Sequence, residues 1–294
     1  MSAPAAGTRE KNLLLGVAFC TVDVLLMGAA AWHSDSLAIL SDLLKESTDF
    51  LAVFASYLTV LALRKAPGQR FAYGIGKLEN LVSLAISLIM VGCSFFLLSK
   101  VVSHFHHPMP TSGTVPGILI FTLYAGIGFG IWTRNRWILR QQHSPIIESQ
   151  ARLWFSKACF DSFMATALTL ELAFRGQAWS FYLDPLASLL GVVFMIHAAY
   201  AISSSSVNDL MDAALEETTQ LRILNQLVQH IDDYDRLHKV RTRRSGSRIF
   251  VEVFLDFSPD LRMAAVHDRI QHLRQSIAAA IPGAEVSILP HAPS

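Results

Sequence analysis

Six apolar blocks of about 20 residues each set the terms on which this chain folds, because that is the helical length that crosses a hydrocarbon layer of about 30 Å. They run over residues 13–32, 37–63, 78–102, 114–132, 153–174 and 182–203. The whole chain agrees with this: 52% of its 294 residues are hydrophobic and 16% are charged, and its mean hydropathy is +0.40. The first block has no small-residue cleavage site after it and is read as a retained span.

Basic residues set the expected orientation, since cytoplasmic loops collect Lys and Arg. Arg9 and Lys11 precede the first block, Arg64, Lys65, Arg70 and Lys77 fall between the second and third, and Arg134, Arg136, Arg140 and Arg152 between the fourth and fifth. The opposite loops hold little beyond Lys100 and Arg175. Both termini are therefore expected in the cytoplasm. Within the basic loop at 135–143, Trp137 and Ile138 suit a headgroup anchor.

Past residue 205 the character changes to that of a small soluble domain. A helical pattern at 215–231 precedes two strands joined by a turn at Ser245-Gly246. The second strand alternates Val251, Val253, Leu255 and Phe257 against Glu252 and Asp256, which is the period of a half-buried strand. An amphipathic helix and a last short strand follow. The expected fold is membrane α-helical with six transmembrane helices over residues 1–205, plus a C-terminal cytoplasmic α+β domain of order αββαβ over residues 206–294.

The most informative stretch is SDLLKESTDF in the second block, which puts Asp42, Lys45, Glu46 and Asp49 in an otherwise apolar run. At 3.6 residues per turn these four lie within an arc of about 100°. Lys157 and Asp161 form a second charged pair, four residues apart, in the fifth block. Ionisable residues inside a membrane are costly and face a bundle interior or a water-filled path.

Other signals exclude more than they assign. The formal net charge of +1 speaks against a nucleic-acid partner. Cys20, Cys93 and Cys159 all fall in apolar blocks without CxxC spacing and read as free thiols. No nucleophile, metalloprotease or phosphate-loop motif marks an enzyme. GIGFG at 126–130 lies inside the fourth block and reads as small-residue helix packing, and the HFHH run at 104–107 as an interfacial cluster able to capture a metal.

Taken together, SLAILSDLLKESTDF, GIGKLENLVSLAISL, YLDPLASLLGVVF, SVNDLMDAAL, HKVRTRRSG and IPGAEVSI resemble the cation diffusion facilitators, proton-coupled exporters of divalent metals. The resemblance covers nearly the whole chain. It implies a homodimer in a lipid bilayer with protons as coupling ion, no certain cofactor and a divalent metal as a candidate, while the short termini suggest a bacterial inner membrane. It also implies that blocks two and five line the pathway together.

The departure from that family is specific. Members carry HxxxD or DxxxD on each of those two spans, where this chain has KxxxD twice: Lys45 to Asp49, and Lys157 to Asp161. An ammonium has donors and no lone pair, so it binds no metal while protonated. The transport site expected from the residues is therefore Lys45, Asp49, Lys157 and Asp161, flanked by Asp42 and Glu46, with cargo outside the usual transition metals. In the tetrad the lysines either neutralise Asp49 and Asp161 as fixed ion pairs, or occupy the place of the metal so that changes in their protonation or pairing drive transport. The cargo is then another cation, or an organic or anionic solute held by the lysines. Efflux of a divalent cation, magnesium- or manganese-like or a transition metal, through the carboxylates, and a non-transporting dimeric regulator, are the alternatives.

The resemblance also places Gly68, Phe71 and Ile75 where loop ligands would stand, and Phe254 and Leu289 where two cytoplasmic ligands would. It matches Lys77 and Asp212 to an interlock near the dimer interface. His238 and His267 match cytoplasmic metal positions, with His291 close by in sequence.

Overall fold

The computed structural model describes residues 3–65, 76–109, 111–140, 145–246 and 248–291. Gly68, Phe71 and Ile75 lie outside the described residues, as does the 141–144 part of the basic loop. The chain divides into two compact units, one of Met1–Val60 with Ile86–Ala201, the other of Leu61–Ala85 with Ile202–Ser294.

Six long helices account for the apolar blocks: α1 (Ala3–Trp32), α2 (Leu37–Lys65), α3 (Gly76–His106), α4 (Val115–Leu139), α5 (Pro145–Ala173) and α6 (Leu183–Leu210). Among the described residues, four stretches are both long and apolar enough to cross a membrane: Leu14–Trp32, Gly76–His106, Val115–Leu139 and Ala178–Leu210. Helices α2 and α5 match them in length, at 29 residues each. What sets these two apart is the ionisable residues they carry, and those are the residues singled out above.

Helix α5 starts eight residues before the apolar block does. Pro145 opens it, in the first-turn position where the missing N–H costs nothing and the fixed φ already suits a helix. The turn that follows is polar, with Glu148 and Arg152 paired at 2.6 Å across one helical turn. Hydropathy alone misses such a segment.

Close helix approach is bought with small residues. A Cβ on Gly128 of α4 would stand 2.9 Å from Ala158 Cβ of α5, so the two backbones meet where neither has a large side chain. Of the GIGFG stretch, Gly128 thus has the packing role expected, whereas Gly126 and Gly130 face open space. Met27, Ala38, Ile39, Phe121, Met164 and Leu168 form the buried core of the helices, with Ile39 and Leu168 against Gly117 of α4.

The N-terminus of α2 is held by a residue from α6. Asp184 accepts from Ser36 Oγ at 2.5 Å, Leu37 N at 2.6 Å and Ala38 N at 3.0 Å, while Ser36 Oγ accepts from Ile39 N at 3.2 Å. The first turn of a helix leaves N–H groups without intrahelical partners. Here a carboxylate with no exposed surface satisfies them.

The second unit contains α7 (Glu217–Gln229), β1 (Arg236–Ser245), β2 (Arg248–Asp256), α8 (Met263–Ala280) and β3 (Ala284–His291). The αββαβ order is as the sequence pattern predicts. The sheet runs β1-β2-β3, antiparallel between the first two and parallel between the last two. Val251, Val253 and Leu255 of β2 pack with Ile223 and Leu227 of α7 and Leu273 and Ile277 of α8. One face of the sheet is thereby covered by both helices.

Candidate functional site

Two adjoining cavities in the first unit gather the charged residues of α2 and α5. The smaller, about 40 Å³, is lined by Asp23, Asp42, Glu46, Tyr124, Lys157 and Asp161 among others. The larger, about 220 Å³, is lined by Lys45, Asp49, Lys157 and Asp161 together with Met90, Phe160 and Phe194 among others. Lys157 and Asp161 border both, so the two spaces share a charged wall.

The ion pairs do not follow the i to i+4 pattern. Lys45 Nζ lies 2.7 Å from Glu46 Oε1 and 3.5 Å from Asp42 Oδ1, and Lys157 Nζ lies 3.7 Å from the same Glu46 oxygen. Glu46 thus stands between two ammonium groups on different helices. Direct ion pairs from the lysines to Asp49 and Asp161, one of the two arrangements expected, are not among those formed: among the described residues the lysines' ion pairs run to Glu46 and Asp42. The reason is geometric. The Lys45 ammonium also lies 5.4 Å from the centre of the Phe160 ring of α5, a cation–π contact, and that direction brings it to Glu46.

Two residues join the site that the sequence reading passed over. Asp23 of α1 is 5% exposed and stands against Glu46 of α2 and Tyr124 of α4. A lone aspartate in an apolar block is itself an intramembrane charge and could have been flagged on that ground. Tyr124 carried no such signal, since a single tyrosine in a span reads as packing.

Five carboxyl groups, Asp23, Asp42, Glu46, Asp49 and Asp161, therefore face two ammonium groups, Lys45 and Lys157. The KxxxD tetrad read alone is neutral, whereas the assembled site carries an excess of acid. Its donors are oxygens. That set suits hard cations or protons, and among the described residues lining the two cavities there is no imidazole or thiol.

The profile described as "Cation efflux transmembrane domain" matches residues 13–211, and that described as "Cation efflux protein, cytoplasmic domain" matches residues 216–288. The chain belongs to the cation efflux family. It is similar to the cation-efflux pump FieF of Escherichia fergusonii, with 24% identity over 95% of this chain and 91% of that one. The cation-efflux pump FieF of Citrobacter koseri is 25% identical over 88% and 84%, and that of Pectobacterium atrosepticum 24% identical over 88% and 84%. A member of the cation efflux family is an integral membrane transporter, not an enzyme.

In the second unit of this cation efflux protein, Lys77 and Asp212 do meet. Lys77 Nζ donates to Asp212 Oδ2 at 2.9 Å and to the Leu210 carbonyl at 3.1 Å, and Arg243 Nη1 lies 3.5 Å from Asp212 Oδ1. The Lys77 hydrogen bond, with the charges of Lys77 and Arg243 behind it, holds the Asp212 carboxyl below its ordinary range. Lys77 also places a cation on a terminal carbonyl of α6, where the helix dipole favours one.

The cytoplasmic histidines are dispersed. His238 occupies the register shift between Leu237 and Lys239 in β1, and its Nε2 lies 2.7 Å from Asp256 Oδ2. His267 is exposed on α8, with Nε2 3.5 Å from Gln271 Nε2. The side chain of His291 lies outside the described residues. Among the described residues, the group of three or more metal-ligating side chains is His230, Asp233 and His272, to which neither His238 nor His267 belongs.

Proposed function

We propose that this chain is a homodimeric, proton-coupled cation exporter of a bacterial inner membrane, with both termini in the cytoplasm. Its transport site is Lys45, Asp49, Lys157 and Asp161, together with Asp42 and Glu46. Asp49 and Asp161 are the exchange groups, alternating between a proton and the cargo. Lys45 and Lys157 are built-in counter-charges held by Glu46 and Asp42. The cargo is a hard, oxygen-preferring cation of the magnesium or manganese class, outside the usual zinc and iron.

The observation that carries this reading is Glu46 lying between the two lysines. With the ammonium groups engaged there, Asp49 and Asp161 have no lysine in an ion pair among the described residues and are left to exchange a proton for a cation. The relatives named cation-efflux pumps support the cation class, and the cytoplasmic-domain match supports the dimer, with Lys77 and Asp212 as an interlock beside its interface. The boundary between the membrane and cytoplasmic domains is placed at 205/206.

The test is flux of magnesium or manganese into proteoliposomes carrying an imposed pH gradient. Flux that needs the gradient and is abolished by Asp161→Asn supports the proposal. Flux indifferent to both Asp161→Asn and Lys45→Ala overturns it.

A second reading has one observation in its favour. The Lys45–Glu46–Lys157 network occupies the place where the resemblance puts a metal, so it can also serve as a fixed strut in a dimeric, non-transporting regulator.

A further inference from the structure

Away from the membrane site, the end of α7 and one face of α8 bring together two imidazoles and a carboxylate. His230 caps α7, the turn Ile231–Asp233 follows it, and His272 projects from α8. Asp233 Oδ2 lies 3.6 Å from His230 Nδ1 and 3.5 Å from His272 Nδ1. The two imidazole rings stand 4.8 Å apart at 78°, and the three ligand atoms all fall within 4.8 Å of one another.

The hydrogen bonds behind His230 decide which of its nitrogens carries a lone pair. Ser276 Oγ donates its single proton to Gln226 Oε1 at 2.6 Å. The serine oxygen can then only accept from His230 Nε2, 3.0 Å away. In the neutral imidazole the proton therefore sits on Nε2, and Nδ1 offers a lone pair toward Asp233. This is how a ligating histidine is oriented: its far nitrogen donates to a fixed partner while its near one faces the metal.

The turn bearing Asp233 is fixed independently. Asp233 N donates to His230 O at 3.0 Å, and Arg269 Nη1 donates to the carbonyls of Asp232 and Asp233 at 3.3 and 3.2 Å. Arg269 brings a positive charge to the backbone side of the turn, yet what it engages is carbonyl oxygen, leaving the Asp233 carboxylate toward the histidines.

An acceptor nitrogen and an acceptor oxygen facing each other repel unless a cation lies between them. Separations of 3.5 and 3.6 Å exceed the usual range of a hydrogen bond to nitrogen, about 2.7–3.2 Å. They are close to the edge of a tetrahedron whose bonds to nitrogen or oxygen are about 2.0–2.1 Å, which is about 3.3–3.4 Å. The exposed member, His272, has 65% of its side chain open to solvent and so has room to adjust.

We propose that His230, Asp233 and His272 form a three-ligand site for a divalent transition metal of the zinc or cobalt class, with its fourth position open to water. Imidazole nitrogens select this class over magnesium and calcium. The site is thus chemically distinct from the all-oxygen site in the membrane, and it uses neither His238 nor His267. A metal bound there ties the turn before β1 to α8 and stabilises the cytoplasmic domain.

The experiment is titration of the metal-free full-length protein with Co²⁺, following the visible d–d absorption of low-coordinate cobalt, with thermal unfolding in Zn²⁺ as a second readout. The expected result is one Co²⁺ per chain with an intense band, lost in His272→Ala and in His230→Ala and kept in His238→Ala/His267→Ala. Ser276→Ala, which leaves all three ligands in place, weakens binding about 10- to 100-fold. Because His272 is exposed, His272→Ala keeps its fold and remains informative if His230→Ala does not. A band that persists in His272→Ala, or vanishes in His238→Ala/His267→Ala, overturns the assignment, as does a wild-type protein that takes up no Co²⁺.

Discussion

Glu46 Oε1 lies 2.7 Å from Lys45 Nζ and 3.7 Å from Lys157 Nζ, so one carboxylate holds the ammonium groups of two helices. Removing it takes away the nearest carboxylate of Lys45, leaving that lysine Asp42 at 3.5 Å, and takes away the ion pair of Lys157. Breaking a buried pair in this way costs about 3–5 kcal/mol. Glu46→Gln is therefore expected to lower the unfolding temperature in detergent markedly. Lys45→Met added to it should recover part of the loss, and strict additivity of the two changes would show that the pair is not coupled.

Asp184 has a structural part to play that is separable from transport. Its carboxylate accepts from Ser36 Oγ, Leu37 N and Ala38 N. Asp184→Ala strands these donors at the start of α2, at about 1–3 kcal/mol for each unsatisfied group. The expected outcome is a thermal shift and low yield, with cation affinity per folded molecule close to wild type. An affinity lost with no thermal shift would place Asp184 in the site instead.

Asp212 carries a pH dependence whose sign follows from its surroundings. Its carboxyl is held below the ordinary 3.8, first by the Lys77 hydrogen bond. The stability this contributes is present above that ordinary value and is lost as pH falls through the lowered one. Unfolding of the wild type should thus show an acid-side loss, below about pH 4, that Asp212→Asn lacks. At neutral pH, with the pair 40% and 39% exposed, the variant should differ by less than about 1 kcal/mol. Asparagine is the right probe because residue 212 sits at φ 56, with Ala213 N bonded to Asn208 O and Asp212 N to Asp209 O. This is a left-handed helix end that asparagine tolerates.

Gly76 meets the hairpin tip at backbone distance. A Cβ there would lie 2.4 Å from the Ser245 carbonyl oxygen, and Gly246 beside it has φ +58. Gly76→Ala must push the β1–β2 turn away from the start of α3. The expected cost is about 1–3 kcal/mol, as for other overpacked contacts, read as a lower unfolding temperature. Wild-type stability in Gly76→Ala would mean that the turn yields freely.

What was legible in the sequence was whatever periodicity and composition encode. The apolar blocks gave the six long helices, and the alternation Val251, Val253, Leu255 gave the buried face of β2. The lysines and aspartates of α2 and α5 announced a polar centre. Pairing was not legible, because at i−3, i+1, i+4 and on the neighbouring helix Lys45 has several carboxylates in reach, and the Phe160 ring and Glu46 fix its direction. Asp23 and Tyr124 were hidden as single polar residues on other spans. Nor did spacing connect His230 with His272, 42 positions further on in α8, since that depends on how α7 and α8 lie on the sheet.

The central claim, that Asp49 and Asp161 bind a hard cation despite two neighbouring lysines, is tested most directly by calorimetric titration of full-length protein with Mg²⁺ and Mn²⁺. The His230→Ala/His272→Ala background keeps the cytoplasmic cluster from contributing. The expected result is binding accompanied by proton release, abolished by Asp49→Asn/Asp161→Asn. Binding unchanged in that double variant, or no binding of either cation, would contradict it.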